Sequence, residues 1–293
     1  MRSLVRVARQ FARDLSLRPM PVLSAALAGA LCVAQGGCSL RPAPVTISGV
    51  EVLEHTPTIA LDVENDRGAV LITVNPKLTA PRINANAGTV RGEPVENYQA
   101  DRWVTAAITE TDGRAVFTVR NTPLVAETSR WVQMTIEVPS CDGLRLKNSD
   151  GSIEVRGVNG AITIENGGAG RPGGHVFVEA AKPNTSPIMI TSASGDIELL
   201  LPTDSTGEVQ LISGNNALAA MIAFTGQVSN SVIKPGWYSG ILNWGTNPVR
   251  IKSTEGEVKL RVGPYRVGNP QIKYYKEWYF SKREPEATSV TPG

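Results

Sequence analysis

The sequence predicts an all-β fold, a β-solenoid or β-helix-like stack of short strands with glycine-rich turns. Three observations predict it. Apolar and polar residues alternate over short stretches, the pattern of half-buried strands. The composition is rich in Gly (28) and Pro (20) and poor in His (2) and aromatics (5%), which suits a turn-rich β protein better than a helical enzyme. A strand–turn–strand unit recurs around Gly68, Gly151, Gly195 and Gly256. Its uneven spacing marks a degenerate repeat in which each coil covers its neighbour. With 293 residues the chain can build one large β domain or two small ones.

The first 37 residues read as a signal peptide and stand outside the fold argument. Arg2, Arg6, Arg9, Arg13 and Arg18 precede an apolar run from Val22 to Ala34. That run is shorter than the ~20 residues a spanning helix needs. Gln35-Gly36-Gly37-Cys38-Ser39 then puts small residues before a cysteine. This resembles a bacterial lipoprotein signal, which implies lipid attachment at Cys38; Gln35 departs from the aliphatic residue usual there. Two other readings stand beside it, cleavage near Ala34-Gln35-Gly36 to a soluble secreted protein, and an uncleaved membrane anchor. Cys32 leaves with the apolar run. If Cys38 is acylated, Cys141 is a lone thiol; if it is not, Cys38 and Cys141 are able to pair in an oxidising compartment. Residues 38–44, with Arg41-Pro42 and Ala43-Pro44, read as a short stiff tether.

An all-β domain is expected over residues 45–262. Val45 to Val52 reads as the first strand, followed by Thr58–Val63 and Ala69–Val74 around the turn Asn65-Asp66-Arg67-Gly68. Asn75 to Tyr98 reads as loop with weak strand. Trp103–Glu110 and Ala115–Arg120 flank Thr111-Asp112-Gly113-Arg114, a hairpin signal. Trp131–Val138 is a strand ended by Pro139, which cannot donate to a ladder. The central block, Leu144 to Pro202, alternates most clearly. Ile153, Ile164 and Ile197 point inward, the first two on strands separated by a turn at Asn159-Gly160. Gly151 and Gly195 are expected at positive φ, where a Cβ would clash. Each inward aliphatic offers ~1.5–3 kcal/mol of burial, so stacked coils offset the ordering entropy that one hairpin cannot. Gly207–Ile212 is a strand, and Asn215–Ala223 reads as helix or as loop and strand. Pro235 to Gly240 is turn-rich, and Pro248–Val262 restates the repeat around Ser253-Thr254-Glu255-Gly256. Residues 263–293 form an aromatic closing segment, Ile272 to Phe280, and a polar tail from Ser281 that reads as disordered.

The runs VQMTIEVP, LKNSDGSIEVRGVNGAITIEN and ITSASGDIELLLP resemble the bacterial "putative adhesin" domain of unknown function. The resemblance runs from about Trp131 to Pro202, with fair matches at Asn65–Val74 and Ser253–Val262. It implies an exported β-solenoid-like fold and supplies no catalytic residues.

No other motif carries chemistry. Glu154, Glu165, Glu179 and Glu198 each sit one step outside the apolar face. Stacked, they form either a stripe for Ca²⁺ or a cationic polymer, or a solvated face that blocks edge pairing; the second takes precedence. His55 and His175 lack metal-ligand spacing. Asp150 and Asp196 sit beside turn glycines, where Asp is favoured on local backbone grounds rather than as a catalytic carboxylate. Trp237, Tyr238 and Trp244, with Tyr274, Tyr275, Trp278 and Tyr279, suit either stacking on sugars or a partner, or capping the open end of the stack.

The expected role is a non-catalytic binding or structural module of the cell envelope, adhesin-like and held at the membrane by a lipid on Cys38. Its contact regions are Asn75–Tyr98 and Phe224–Thr246, and its partner is an envelope protein or a polysaccharide. A net charge of +2 gives no field favouring nucleic acid, and no cofactor or catalytic residue is expected. The rivals are a polysaccharide-active β-helix enzyme and an envelope signalling accessory.

Overall fold

The computed structural model describes residues 43–89, 100–121, 130–168, 170–215, 218–222 and 227–263. The segment read as a signal peptide, Cys38 and the expected closing segment after Gly263 lie outside them. Among the described residues there are strands and 3₁₀ turns and no α-helix.

The chain enters through two short strands, β1 (Ala43–Pro44) and β2 (Ile47–Ser48). The expected strand over Val45–Val52 is broken because Gly49, at φ 76°, turns the chain into a 3₁₀ segment, Val50–Glu54. Ala43–Pro44, expected in the tether, pairs with the later strand β5. The first repeat unit is β3 (Ile59–Asn65) and β4 (Val70–Val74). β5 (Arg82–Thr89) forms where the sequence reads as loop, because it lies antiparallel to β8 (Arg130–Val138) and buries Ile83, Ala85 and Ala87. The hairpin β6 (Val104–Thr111) and β7 (Arg114–Asn121) forms as expected, with Asp112 and Gly113 at φ 52° and 72°.

β9 (Asp142–Asn148) precedes β10 (Ile153–Asn166), one 14-residue strand where the sequence suggests two. The expected turn at Asn159-Gly160 is a bend inside it. Gly157 and Gly160, at φ 84° and 75°, coincide with two register shifts, and such bulges re-aim a strand without ending it. The remaining strands are β11 (Val176–Ala180), β12 (Ile188–Ser192), β13 (Ile197–Pro202), β14 (Gly207–Ser213), β15 (Leu218–Ile222), β16 (Val228–Lys234), β17 (Trp237–Leu242), β18 (Pro248–Ser253) and β19 (Val258–Gly263). At residues 218–222 the open choice between helix and strand resolves to strand, paired in parallel with β19.

All 19 strands join in one open sheet with two ladders that share β10. The first ladder runs β1-β5-β8-β4-β10-β11-β13-β19-β15. The second runs β2-β6-β7-β3-β9-β10-β12-β18-β14-β17-β16. From β8 to β15 and from β7 to β14 every pairing is parallel. Seven strand pairs (β7/β8, β3/β4, β9/β10, β10/β11, β12/β13, β18/β19 and β14/β15) therefore follow in the same order in both ladders. The order departs from chain order twice: β3/β4 lies between β7/β8 and β9/β10, and β18/β19 lies between β12/β13 and β14/β15. One contiguous buried cluster draws on both ladders. Ile153, Ile164 and Ile197 are at most 1% exposed, as the alternation predicts.

The turn between the two strands of a pair carries a buried polar column. Asn65, Asn148 and Asn166 end β3, β9 and β10 in register, and Ser192, Ser253 and Ser213 continue the row on β12, β18 and β14. All six are nearly inaccessible to solvent. Asn121 Nδ2 donates to Asn65 Oδ1 at 2.7 Å, Asn65 Nδ2 to Asn148 Oδ1 at 3.0 Å, and Asn148 Nδ2 to Asn166 Oδ1 at 3.2 Å. The Asn65, Asn148 and Asn166 amides also donate to the carbonyls of Gly68, Gly151 and Gly174 respectively, at 2.8–3.1 Å. In the later turns Ser253 Oγ donates to the Gly195 carbonyl and Ser213 Oγ to the Gly256 carbonyl, both at 2.8 Å.

A second column, of glycines, lies beside the first. A Cβ on Gly174 would stand 2.7 Å from the Gly151 carbonyl, one on Gly195 2.7 Å from the His175 nitrogen, and one on Gly256 2.5 Å from the Gly195 carbonyl carbon. Gly151 has the expected positive φ, 119°. Gly195 does not. It is glycine because the next turn's backbone occupies the space of a side chain, which dipeptide statistics alone do not reveal.

Asn148→Ala should lower stability by about 1–3 kcal/mol, the cost of stranding buried polar groups, and Asn148→Ser should lower it by less. Urea midpoints at unchanged slope will check this, and equal losses would count against the column. Gly195→Ala and Gly195→Asn should both cost about 1–3 kcal/mol from crowding. At Gly113, where φ is 72° and nothing lies within 4 Å of an added Cβ, Asn should be tolerated better than Ala. Melting temperatures of the four variants separate a shortage of space from backbone conformation.

Candidate functional site

The residues singled out in the sequence do not converge. Among the described residues no group of three His, Cys, Asp or Glu side chains could hold a metal ion. His55 ends the first 3₁₀ segment and His175 precedes β11, both exposed. Asp150 pairs with Arg67 at 3.3 Å, and Asp196 Oδ1 accepts the Glu257 amide at 2.7 Å, so both carboxylates serve the turns that hold them. Cys141 is buried at the start of β9. Burial, helped by the charge of Asp142, pushes its thiol up to about 12.

The glutamates expected as a stripe are divided and neutralised. Glu154 and Glu179 both hold Arg156, at 2.6 and 3.1 Å, while Glu198 holds Arg261 at 3.1 Å and Glu165 holds Lys147 at 3.2 Å. The Arg156 guanidinium also lies 4.8 Å over the Phe177 ring. Glu154, Arg156, Phe177, Glu198 and Arg261, with His175, line a shallow depression of about 340 Å³ on the outer face of the first ladder. Its charges are spent on one another.

The second ladder's outer face divides in two. On β7, β3 and β9, Asp62 and Glu64 are each shared by Arg120 and Arg145, and the Arg145 guanidinium reaches both at 2.7 and 3.0 Å. Partial burial of Asp62 works to raise its carboxyl, but hydrogen bonds and charge from Arg120 and Arg145 outweigh it and hold the group below its ordinary value.

On β12, β18, β14, β17 and β16 the pattern changes. Two cross-strand rows face outward: Met189, Arg250, Gln210, Ser239 and Val232, then Thr191, Lys252, Ile212, Trp237 and Lys234. Arg250 and Lys252 are exposed and have no ion-pair partner among the described residues. Lys234 Nζ sits 5.5 Å from the centroid of the half-buried Trp237 ring. Met189 and Val232 are 47% and 45% exposed, which is unusual for large apolar side chains on a well-packed sheet. Beyond the rows, Trp244 is 73% exposed at φ 58°. Its indole donates to Gln227 Oε1 at 3.2 Å, and the preceding Asn243 amide donates to the carbonyls of Thr203 and Ser205. Tyr238, by contrast, points inward and is buried.

Only the β16 and β17 part of this face falls within the contact region expected over Phe224–Thr246; β12, β14 and β18 lie outside it. Its cationic half, on β18, was not singled out in the sequence. The alternation PVRIKS turns Arg250 and Lys252 outward, but only the register shows that Gln210 and Ile212, rather than acids, lie beside them.

The Asp62 cluster sets an acid dependence. Because the carboxyl is depressed in the folded state, its contribution is complete above the ordinary value of 3.8 and is lost as pH falls through the native value. Asp62→Asn should cost about 1 kcal/mol at neutral pH and shrink the fall in melting temperature below about pH 4. Parallel acid limbs for the two proteins would exclude Asp62 as a source.

No helix among the described residues is long and apolar enough to cross a membrane. No family model and no curated protein sequence matches the chain. Among solved structures, the chain is similar to a crystal structure described as a putative cell adhesion protein from Clostridium sporogenes, at 12% identity and a TM-score of 0.49, over 76% of this chain and all of that one.

Proposed function

We propose that the chain is an exported β-solenoid, anchored to the cell envelope by a lipid on Cys38, that works as a non-catalytic, adhesin-like binding module. The solenoid reading is supported by seven parallel strand pairs in the same order in both ladders, and by the polar and glycine columns that repeat once per turn. The binding reading rests on one observation: the outer face from β12 to β16 combines exposed apolar side chains with cations that no acid neutralises. A frame of paired strands loses little freedom when a ligand settles on it, so such a face binds at low entropic cost. The sequence resemblance to adhesin domains points the same way.

The anchor follows from the sequence. Small residues precede Cys38, and Ala43 begins the paired structure a few residues later. The membrane would then lie near the β1 and β2 edges, while the candidate face sits toward the other end of the second ladder.

Expression in a bacterial host tests both halves. The membrane fraction should contain a chain that begins at Cys38 with acyl mass, and Cys38→Ser should move it to the soluble fraction. Isolated envelopes should retain the wild-type protein more strongly than Arg250→Gln/Lys252→Gln. A mature chain without acyl mass would sink the anchor, and equal retention of the two proteins would sink the binding face.

A further inference from the structure

We propose that the outer face of β12, β18, β14, β17 and β16 binds an acidic polysaccharide, with the chain of sugars lying across the strands. This rests on the binding-module reading above and names its ligand. The charge pattern carries the argument. Elsewhere on the outer faces, Arg120, Arg145, Lys147, Arg156 and Arg261 are each held by a carboxylate, and Arg82, which makes no ion pair among the described residues, still has the acid Glu137 as its cross-strand neighbour. On this face Arg250 and Lys252 are not, and the face's exposed acid is Glu208, opposite Pro248 and Ile241 at one margin. A face left cationic complements an anion.

The arrangement favours a polymer over a single ion. Lys252, Ile212, Trp237 and Lys234 succeed one another on adjacent strands. Steps of about 4.8 Å put the two lysines roughly 14 Å apart with the indole between them. One step is comparable to the length of a pyranose residue. A chain of uronate rings along the row meets a cation at either end and an aromatic surface within it. The parallel row adds Arg250 and Gln210, which donate to carboxylate and hydroxyl oxygens, beside the thioether of Met189. The apolar faces of the rings pack on Trp237 and Met189, and the carboxylates reach Lys252, Lys234 and Arg250.

An anionic bilayer is the other macroscopic partner with this charge. It fits less well, because a lipid on Cys38 brings the membrane to the β1 edge rather than to β16. A peptide polyanion matches the cations and leaves Trp237 without a role.

The test uses the purified full chain on surfaces of polygalacturonate, poly-L-glutamate, neutral dextran and phosphatidylglycerol vesicles. The expected result is selective binding to polygalacturonate that weakens with salt. Arg250→Gln/Lys252→Gln should lose about tenfold or more, as should Trp237→Leu, the latter without changing the salt dependence. Lys182→Gln, an exposed cation off this face, should bind like wild type. Lys234→Gln, fully on the surface, keeps the test open if Trp237→Leu fails to fold. Equal binding to poly-L-glutamate with no loss from Trp237→Leu, binding confined to vesicles, or no binding to polygalacturonate would each overturn the proposal. If polygalacturonate fails while Arg250→Gln/Lys252→Gln still lowers retention on isolated envelopes, the ligand class falls and the binding module stands; if retention is also unchanged, both fall.

Discussion

Everything in this structure depends on how closely one turn of backbone lies on the next. At the corner between the two strands of a pair, successive turns come so near that a methyl group on Gly174, Gly195 or Gly256 would overlap its neighbour's main chain. That approach leaves carbonyl oxygens facing inward, where no water compensates them. The column from Asn65 to Ser213 answers the need. Each Asn amide has enough donors and acceptors to satisfy its own turn and reach the next strand. Serine, with a shorter arm, still holds its own and the neighbouring turn: Ser253 Oγ accepts the Gly256 amide and donates to the Gly195 carbonyl. Spacing, hydrogen bonding and the choice of glycine are one constraint seen from three sides.

The ends of the ladders follow from the same geometry. A stack of parallel strands exposes an unpaired edge at each end, and such edges invite association. Here β5 and β6 lie antiparallel against β8 and β7, and β17 lies antiparallel against β14. The chain makes these covers by running outward and returning, which is why β3/β4 and β18/β19 end up between pairs that are not their neighbours in sequence. Three of the four outermost strands, β1, β2 and β16, are themselves blunted. β1 and β2 are two residues long, and β16 carries a register shift with Asn230 at φ 53°.

Much of this was legible in the sequence, and the parts that were not share a cause. Alternation located β3, β4 and β6 to β14 and turned Ile153, Ile164 and Ile197 inward, because period-two burial is a local property. What depends on a distant partner was hidden. Arg82–Thr89 is a strand because β8 lies beside it, and Asn159-Gly160 is a bulge because β10 passes from one ladder to the other. Gly195 read as a positive-φ turn residue, and its true constraint is the turn of the neighbouring strand pair, at Gly174 and His175. Asn65 read as a turn residue and Asn148 and Asn166 drew no reading, and the burial of all three in a single column required the register. The candidate face follows the same rule: nothing in the sequence singles out Arg250 and Lys252, and it is the register that sets Gln210 and Ile212, from another repeat, beside them.

The same register decides where on the outer faces a charge is left without a partner. In-register stacking forces the outward residues of each repeat into rows, so the charge of a surface is decided by which residues share a row. Where Asp62 and Glu64 share rows with Arg120 and Arg145, attraction is satisfied internally and the side chains are held in place. Such a surface has little to offer an outside ion, since binding one would first break an existing pair. Where β18 meets β14, the row-mates of Arg250 and Lys252 are an amide and an aliphatic chain. The cations there are solvated rather than paired, and a ligand carboxylate displaces water alone. The inward positions are apolar in both parts, Phe117, Leu61 and Leu144 in one and Ile188, Val249 and Leu211 in the other, so exchanging a few outward residues changes the surface without disturbing the column that holds the turns together. The buried core and the candidate face are thus carried by opposite faces of the same strands.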